Sequence, residues 1–223
     1  FGYGDGLTYY SLTNLVSNAG VVSTDVTGVG TARDRSTACE YGGDKGIFGY
    51  GGTPGNTPVS MTNLVSNAGV VGTDVTGVGT ARLAPAACGY GEDKGIFGFG
   101  AAPHGTEVSM TNLVSNAGVV ATDVTGVGTA RQLLAACEYS TDKGIFGFGT
   151  TGSLTAVTNL VSNAGVVATD TTGVGTVRSN VAACGYGYDK GIFGYGNPGG
   201  YTAVTNLVSN AGVVGTDVTG VGT

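Results

Sequence analysis

Apolar and polar residues alternate over short runs throughout this chain. The runs 86–91 (AACGYG) and 95–100 (GIFGFG) carry Tyr, Phe and Ile and are separated by the polar segment 92–94 (EDK). Such runs on either side of a short polar segment predict two antiparallel strands joined by a tight turn. Alternation in the second run predicts that Phe97 and Phe99 share one face, so that large side chains pack onto the glycines of a neighbouring sheet.

Two further runs follow, 108–115 (VSMTNLVS) and 119–124 (VVATDV), with an Asn-Ala-Gly turn between them. No amphipathic pattern with a period of 3.6 residues is found. The four runs together predict an all-β unit, a small four-stranded antiparallel sheet with apolar residues on both faces. Because one such sheet cannot bury both faces by itself, we expect it to stack against copies of itself.

The chain contains those copies. The string TNLVSNAGVV begins at five positions with spacings of 49, 49, 47 and 47 residues: Thr13, Thr62, Thr111, Thr158 and Thr205. Radial stacking of four-stranded units of this length predicts a β-propeller of about five blades. We expect a single domain, residues 1–223, with repeats at approximately 1–31, 32–80, 81–129, 130–176 and 177–223. The first repeat lacks the 16 residues that correspond to 32–47, so one blade is predicted to be incomplete.

The order of motifs supports this architecture. Each full repeat carries an Arg, a strand of small residues, D-K-G-I-F-G-[YF]-G, a variable loop, T-N-L-V-S-N and G-V-G-T. This order resembles the kelch-type repeat, although the kelch Trp is absent and the glycine pair is spread out as G-[YF]-G. The resemblance implies four-stranded blades and a family whose members mostly bind other molecules and only occasionally catalyse. Near-identical repeats of this kind also resemble those of phage and environmental sequences.

Composition narrows the class of protein. Apolar residues make up 41% of the chain and charged residues 11%, which favours a folded protein over a disordered one. The net charge is −6 and the basic residues do not cluster, so a nucleic-acid partner is not expected. No apolar stretch reaches the ~18 residues that cross a bilayer, so no membrane partner is expected. A surface rich in Ser, Thr, Gly and Asn favours an extracellular or virion-associated location.

The repeats differ most in two segments, one of which contains all of their variation in length. One follows the Arg of each repeat: 34–37, 83–86, 132–135 and 179–182. The other is the loop between the second and third predicted strands: 52–58, 101–107, 150–155 and 197–202. In an up-and-down blade both segments emerge at the same end, and binding usually resides in loops on a rigid scaffold. The predicted binding residues are Tyr9, Tyr10, Asn56, His104, Glu107 and Tyr201, and the alternative interpretation is that these loops have drifted without a role.

The recurring polar residues favour structural roles. The four cysteines (Cys39, Cys88, Cys137 and Cys184) occupy equivalent positions and are predicted to be buried thiols, with a disulfide or a ring around a soft metal as the alternative. The Asp of each T-D-[VT]-T-G-V-G-T segment is expected in an Asx-turn or linked to the repeat's Arg. With a single His, His104, the chain lacks a Ser-His-Asp set or a facial metal triad. We therefore expect no catalytic residue, no metal site and no cofactor, and a protein that is not an enzyme.

The leading hypothesis is a recognition or structural module that presents variable loops to a protein or glycan ligand, in the manner of a lectin. Tyr9, Tyr10 and Tyr201 are then expected to stack on sugars. Two alternatives stay open at this point. One is a self-assembling structural protein, a homo-oligomer in which strand exchange completes the deficient blade. The other is an enzyme with its site on the variable face.

Overall fold

The fold is all-β. The computed structural model describes residues 1–222, and no α-helix occurs within that range. Each repeat forms one small antiparallel sheet, and we number the sheets 1 to 5 along the chain. Sheet 1 has two strands, β1 (Gly2–Asp5) and β2 (Tyr9–Thr13). Sheets 2 to 5 have three strands each.

The three-stranded sheets share one plan. Their first strands are rich in small residues: β3 (Thr37–Tyr41), β8 (Ala86–Tyr90), β13 (Ala135–Tyr139) and β16 (Ala182–Tyr186). Their second, central strands all read KGIFG: β4 (Lys45–Gly49), β9 (Lys94–Gly98), β14 (Lys143–Gly147) and β17 (Lys190–Gly194). Their third strands all read TNLV: β7 (Thr62–Val65), β12 (Thr111–Val114), β15 (Thr158–Val161) and β18 (Thr205–Val208). The predicted tight turns and strand order are therefore confirmed.

Small hairpins extend two of the variable loops. In sheet 2, β5 (Gly52–Thr53) pairs with β6 (Thr57–Pro58). In sheet 3, β10 (Ala101–Ala102) pairs with β11 (Thr106–Glu107) around a short 3-10 turn at Pro103–Gly105. These hairpins project from the end of the sheet at which the central strand finishes.

The predicted fourth strand is not formed. In sheet 3, residues 119–124 meet β12 only at two isolated bridges, Val114 to Val120 and Thr111 to Val124. Between these two bridges β12 advances by three residues, whereas segment 119–124 advances by four. The extra residue interrupts the ladder of backbone hydrogen bonds, as a β-bulge does. The Asn112 side chain bonds the carbonyl of Ala121 at 3.0 Å and takes the place of a backbone partner. The four-stranded blade predicted from the sequence is therefore corrected to three strands and an irregular fourth segment.

Neighbouring sheets stack face to face, with the first strands β3, β8, β13 and β16 in consecutive contact. Phe97 of sheet 3 lies on Gly49 of sheet 2, where an added Cβ would come within 2.7 Å of the ring. The same contact joins Phe146 to Gly98 and Phe193 to Gly147. The prediction that large side chains pack onto a neighbour's glycines is confirmed. These contacts build the apolar core between sheets rather than within them.

Phe97 and Phe99 do not share a face. The ring of Phe97 points back to sheet 2 and lies 5.1 Å from the Tyr50 ring, whereas Phe99 points forward and lies 5.1 Å from Phe146. The reason is a positive φ of 62° at Phe99, which ends the extended geometry of β9 and reverses the direction of the side chain. Period-two alternation holds only as far as the backbone stays extended.

The two ends of the stack are open. Phe1 of sheet 1 is 78% exposed, and Tyr195 of sheet 5 is 50% exposed, although their equivalents inside the stack are buried or partly covered. Extensive strand packing joins only consecutive sheets among the described residues. Sheet 1 lacks a first strand, as the shorter first repeat predicts.

Candidate binding surface

The two variable segments of each repeat lie side by side. In sheets 2 to 5, the residue after the Arg pairs with the residue after the G-[YF]-G motif through isolated bridges: Asp34 to Gly52, Leu83 to Ala101, Gln132 to Thr150 and Ser179 to Asn197. The convergence predicted from strand alternation is therefore correct. We call the surface formed by these segments the variable edge.

Backbone hydrogen bonds join the variable edge from one sheet to the next. Ala84 N donates to Arg35 O at 3.1 Å, Leu133 N to Ala84 O at 3.3 Å, and Asn180 N to Leu133 O at 2.9 Å. All four of these residues have a positive φ between 48° and 55°. Since their side chains differ while the backbone is the same, the edge is a continuous ribbon that carries different side chains at regular intervals.

The opposite edge is uniform, and we call it the constant edge. It combines the Asp-Lys turn of each hairpin with the Ser-Asn-Ala-Gly turn after the third strand. In sheet 3, Asn116 Nδ2 donates to Asp93 Oδ2 at 2.9 Å, and Lys94 Nζ lies 2.7 Å from Asp93 Oδ1. The same bonds recur in sheets 2, 4 and 5. The Asp of each pair is therefore a turn residue, as predicted, whereas the Lys is the first residue of the central strand.

Tyr9 and Tyr10 lie in a strand rather than a loop, which corrects the sequence prediction. Both belong to β2, where Tyr9 pairs with Asp5 and Tyr10 with Gly4. The short loop of the first repeat leaves only Gly6, Leu7 and Thr8 outside the strands, so the ladder reaches the tyrosines. The Tyr10 ring remains largely exposed.

Asn56, His104 and Glu107 do lie on the variable edge. Asn56 Oδ1 accepts a hydrogen bond from the Arg35 side chain. This bond joins the two variable segments of sheet 2, residues 34–37 and 52–58. Glu107 accepts from Gln132 Nε2 at 3.3 Å and links sheets 3 and 4. His104 is exposed at the tip of its loop with φ of 68°.

Tyr201 is 97% exposed beside a hollow of about 400 Å³ at the last repeat. Tyr195, Thr202 and Ala203 line the same hollow. Two tyrosine rings therefore flank a recess on the variable edge, whereas the other three loops carry no aromatic side chain at the equivalent place.

A buried Arg, absent from the predicted site residues, closes each sheet interface. Arg33 is fully buried and lies 4.2 Å above the Tyr3 ring, while its NH2 group donates to Asn63 Oδ1 at 2.7 Å. The same arrangement recurs with Arg82 over Tyr50, Arg131 over Phe99 and Arg178 over Phe148. Burial lowers the pKa of Arg131 to about 10, so it stays cationic at neutral pH. These residues hold sheets together and are not available to a ligand.

The recurring Asp also joins consecutive sheets. Asp74 accepts from Thr31 Oγ1 at 2.7 Å and from Thr31 N at 3.0 Å, and Thr31 belongs to the preceding repeat. Asn63 Nδ2 donates to Asp74 at 2.9 Å, and Arg33 lies 3.9 Å away. The predicted link between the Asp carboxylate and the Arg guanidinium is therefore long. The sequence did not predict the shorter bonds to Thr31, because they join residues of two different repeats.

The four thiols are free. Cys88 and Cys137 are buried, Cys39 is partly buried and Cys184 is exposed at the open end of the stack. The Cys39 sulfur lies close to Gly95 of the next sheet, where an added Cβ would come within 2.6 Å. Burial raises the pKa of the Cys88 thiol well above its usual range. The prediction of buried thiols is correct for two positions and wrong for Cys184, which lies on the outer face of sheet 5.

A groove along the first strands contains a carboxyl pair that sequence reasoning missed. Glu138 of β13 occupies the space left by Gly89 of β8 and meets Glu40 of β3 in a groove of about 330 Å³. Burial and the neighbouring Glu40 carboxyl raise the pKa of Glu138 to about 8. The signal in the sequence is the alternation of Glu and Gly at the middle position of C-x-Y, as Glu40, Gly89, Glu138 and Gly185.

Comparisons with known proteins identify no relative. No protein-family model matches the chain, and no curated protein matches it significantly. Within residues 1–222 no group of three or more His, Cys, Asp or Glu side chains is arranged to hold a metal ion. None of these residues forms a helix of the length and apolarity required to span a bilayer.

Proposed function

We propose that this protein is a non-enzymatic recognition module that binds a protein or glycan ligand on its variable edge. The observation that best supports this proposal is that variable and constant residues lie on opposite edges of the sheets. Every difference in loop length and most differences in side chain lie on one continuous backbone ribbon, while the opposite edge repeats the same Asn, Asp and Lys contacts. Loops on a rigid scaffold are the usual position of binding residues.

We further propose that the sheets are blades of a kelch-like β-propeller arrangement. Two features support this proposal: the first strands of successive sheets are neighbours, as the inner strands of a propeller are, and an Arg occupies each connection between sheets.

A glycan is the ligand class that we favour. The recess between Tyr195 and Tyr201 offers aromatic faces beside the Thr202 hydroxyl and backbone groups. Apolar faces of sugar rings stack on such side chains, while hydroxyl groups exchange hydrogen bonds with them. The net charge of −6 disfavours polyanionic glycans.

The test is a binding screen on an array of neutral glycans, followed by titration of any hit. We expect Tyr201→Ala to weaken binding by at least tenfold, because the removal of one aromatic anchor costs about 1–2 kcal/mol or more. The Tyr201 side chain makes no hydrogen bond to residues 1–222 and is almost fully exposed, so we expect the variant to fold.

The matched control is Asn116→Ala, which removes a side-chain bond from the constant edge. It is expected to leave glycan binding unchanged. An array without a hit rejects the glycan version of the proposal. If a glycan still binds to Tyr201→Ala but no longer binds to Asn116→Ala, its site lies on the constant edge. That result would contradict the proposal as a whole.

A further inference from the structure

The middle residue of the C-x-Y motif alternates between Glu and Gly along the first strands, as Glu40, Gly89, Glu138 and Gly185. At Gly89 the space that a side chain would take is filled from another sheet. A Cβ added to Gly89 would overlap Glu138 Oε1 and lie 2.8 Å from Glu138 Cδ. Because Glu138 belongs to sheet 4, its side chain reaches across the sheet interface onto sheet 3.

The Glu138 carboxyl group also meets that of Glu40, which belongs to sheet 2, and the two form a hydrogen bond. Both line the groove of about 330 Å³ along the first strands, which we call the inner groove. A carboxylate can only accept a hydrogen bond, so this bond requires that one of the two groups carries a proton. One proton thus joins sheets 2 and 4 across the sheet between them.

No positive charge compensates the pair. Within the part of the chain that the structure describes, neither Glu40 nor Glu138 forms an ion pair. The lysine of each central strand instead pairs with the Asp before it, at Nζ–Oδ1 distances of 2.7–3.3 Å: Lys45, Lys94, Lys143 and Lys190. Lys190 shares a hollow of about 230 Å³ with Glu138 and with the phenols of Tyr139, Tyr186 and Tyr188, but its Nζ lies 2.7 Å from Asp189 Oδ1.

The remaining neighbours of the pair are thiols and one further acid. Cys88 on β8, Cys137 on β13 and Cys184 on β16 line the inner groove, and Cys39 on β3 also lies near both carboxyl groups. Burial raises the pKa of Cys39 and Cys137 to about 12, so these thiols are neutral. The charge of Asp142, on the turn after β13, favours the protonated form of Glu138. A second negative charge on the pair is therefore unfavourable in the closed groove.

We propose that Glu40 and Glu138 form a proton-operated clasp on the inner groove. A proton shared by the two carboxyl groups holds Glu138 over Gly89 and keeps the groove closed. When that proton is lost to solvent, both groups become carboxylates and repel each other. Glu138 then leaves the space over Gly89 and the groove opens, while the sheets themselves stay folded.

The clasp is independent of the proposed glycan site. None of the residues that line the inner groove belongs to a variable segment, whereas Tyr201 lies on the variable edge. A glycan screen without a hit therefore leaves the clasp intact as a proposal. Failure of the experiments below likewise leaves the glycan proposal unaffected.

The first experiment measures the access of a reagent to Cys88, which is 5% exposed and lines the inner groove. The folded protein reacts with a small aromatic disulfide, dithiodipyridine, and mass spectrometry of peptides measures the rate at Cys88. Each rate is divided by that of Glu138→Gln at the same pH, which cancels the effect of pH on the thiol. The Gln amide can donate to the Glu40 carboxylate at every pH, so this variant stays closed.

We expect the relative rate at Cys88 to increase as the pH rises. The pKa of Glu138 is raised to about 8 in the closed groove, so the closed form is favoured at low pH and is lost as the pH rises. The increase is expected to reach up to about tenfold per pH unit between about pH 6 and about pH 8, and to level off above that range. Equal rates in the two proteins at every pH would overturn the proposal.

Gly89→Ala tests the geometry of the clasp. Its methyl group takes the position of Glu138 Oε1, so the clasp cannot close. We expect rapid reaction of Cys88 even at low pH, with a relative rate that no longer depends on pH. A pH dependence that survives in Gly89→Ala would contradict the proposal.

The matched control for this variant is Gly72→Ala. A Cβ added to Gly72 meets only the Leu64 carbonyl oxygen, at 3.5 Å, and the equivalent residues of the next two repeats are Ala121 and Ala168. This variant is expected to keep the pH dependence of the unmodified chain. Loss of that dependence in Gly72→Ala would show that any added methyl group opens the groove, and would overturn the proposal.

The second experiment follows the proton itself by NMR. The chain contains only four Glu residues, Glu40, Glu92, Glu107 and Glu138, so ¹³C labelling of Glu carboxyl carbons gives four signals. Glu40→Gln removes the neighbouring acid, and we expect the titration midpoint of Glu138 to move to lower pH. Glu107→Gln is the control and should leave that midpoint unchanged. A Glu138 midpoint that is the same in Glu40→Gln and in the unmodified chain would overturn the clasp, because burial alone would then account for it.

Discussion

The aromatic residue after each central strand is the point at which single residues decide the structure. Tyr3, Tyr50, Phe99, Phe148 and Tyr195 all have φ between 60° and 63°, a conformation that is rare for bulky side chains and costs of order 1–3 kcal/mol. At the four positions inside the stack the reversed ring is held between a guanidinium group and a second aromatic ring from the next sheet. Among the described residues Tyr195 has neither partner and keeps the same φ, so packing with a neighbour stabilises this conformation but is not its sole cause.

The Arg above that ring is expected to be essential for stability. Arg131→Ala removes hydrogen bonds of 2.9 Å to Phe148 O and 3.0 Å to Thr129 O, together with the contact to the Phe99 ring. We expect the free energy of unfolding to fall by about 2–4 kcal/mol, measured by chemical denaturation. Arg35→Ala is the control, because Arg35 is partly exposed and pairs with a neighbouring Asp; its cost is expected within about 1 kcal/mol. Equal losses in both variants would contradict a special role for the buried position.

Glycine at the end of the central strand is expected to be required only where a ring covers it. Gly98→Ala would place a Cβ 2.7 Å from the buried Phe146 ring, and overpacking of this kind costs about 1–3 kcal/mol. Gly194→Ala meets only Thr205 and is expected within about 1 kcal/mol of the unmodified chain. Chemical denaturation provides the measurement. A destabilised Gly194→Ala would show that intrinsic strand geometry, not the neighbouring ring, selects glycine.

At the scale of the elements, the first strands combine small residues with the two carboxyl groups of Glu40 and Glu138. The small residues allow β3, β8 and β13 to approach closely, and the approach brings two acids together over Gly89. Burial and the neighbouring acid favour the protonated form of Glu138 and raise its pKa to about 8. The stacking of these strands is therefore sensitive to pH.

The sign of this effect follows from linkage. The pKa of Glu138 is higher in the folded state than its ordinary value of 4.5, so its contribution to stability is complete below about pH 4.5 and is lost as the pH rises through about 8. Thermal denaturation should show lower stability at about pH 9 than at about pH 5.5, and Glu138→Gln should reduce that difference. Glu92→Gln, on the adjacent turn, is the control. A slope that is unchanged in Glu138→Gln would contradict the assignment.

The recurring Asp residues affect stability in a different pH range from Glu138. Burial raises the pKa of Asp123, but hydrogen bonds from Thr80 and Asn112 outweigh it, so the pKa lies below its usual 3.8. This stabilisation is present above about pH 4 and is lost only as the pH falls further. The two groups can therefore be distinguished by the pH range in which each variant changes stability.

At the scale of the whole molecule, extensive strand packing joins only consecutive sheets among the described residues, and Glu40 of sheet 2 and Glu138 of sheet 4 meet across sheet 3. Sheets 2 to 4 are covered on both faces, whereas sheets 1 and 5 each expose one face. Stability in such arrays is approximately the sum of unit and interface contributions. The terminal sheets are therefore expected to open more readily than the central ones.

Hydrogen exchange followed by mass spectrometry tests this expectation. Amides of β9 and β14 should exchange most slowly, those of β17 faster, and those of β1 and β2 fastest, because sheet 1 has one interface and no first strand. Measurement at low concentration avoids protection by a second copy. Equal protection in sheets 1 and 3 would instead indicate a closed ring.

The sequence by itself determined the local structure of this protein, because hairpins and turns depend on residues that are close along the chain. The Asp-Lys turns, the KGIFG and TNLV strands, the packing of Phe on glycine and the convergence of the variable segments could all be predicted from one repeat and its copies. The variable edge, with Asn56, His104 and Glu107, was predictable for the same reason, since it follows from strand alternation.

Only the tertiary structure decided how the repeats join, because those contacts link residues of different repeats that are far apart along the chain. The bond from Thr31 to Asp74, the Arg33–Tyr3 stack and the meeting of Glu40 with Glu138 all cross between sheets. The reversal at Phe99 has the same origin, since its ring packs against Phe146 of the next sheet. The irregular fourth segment instead arises within one repeat, where the Asn112 side chain donates to the carbonyl of Ala121.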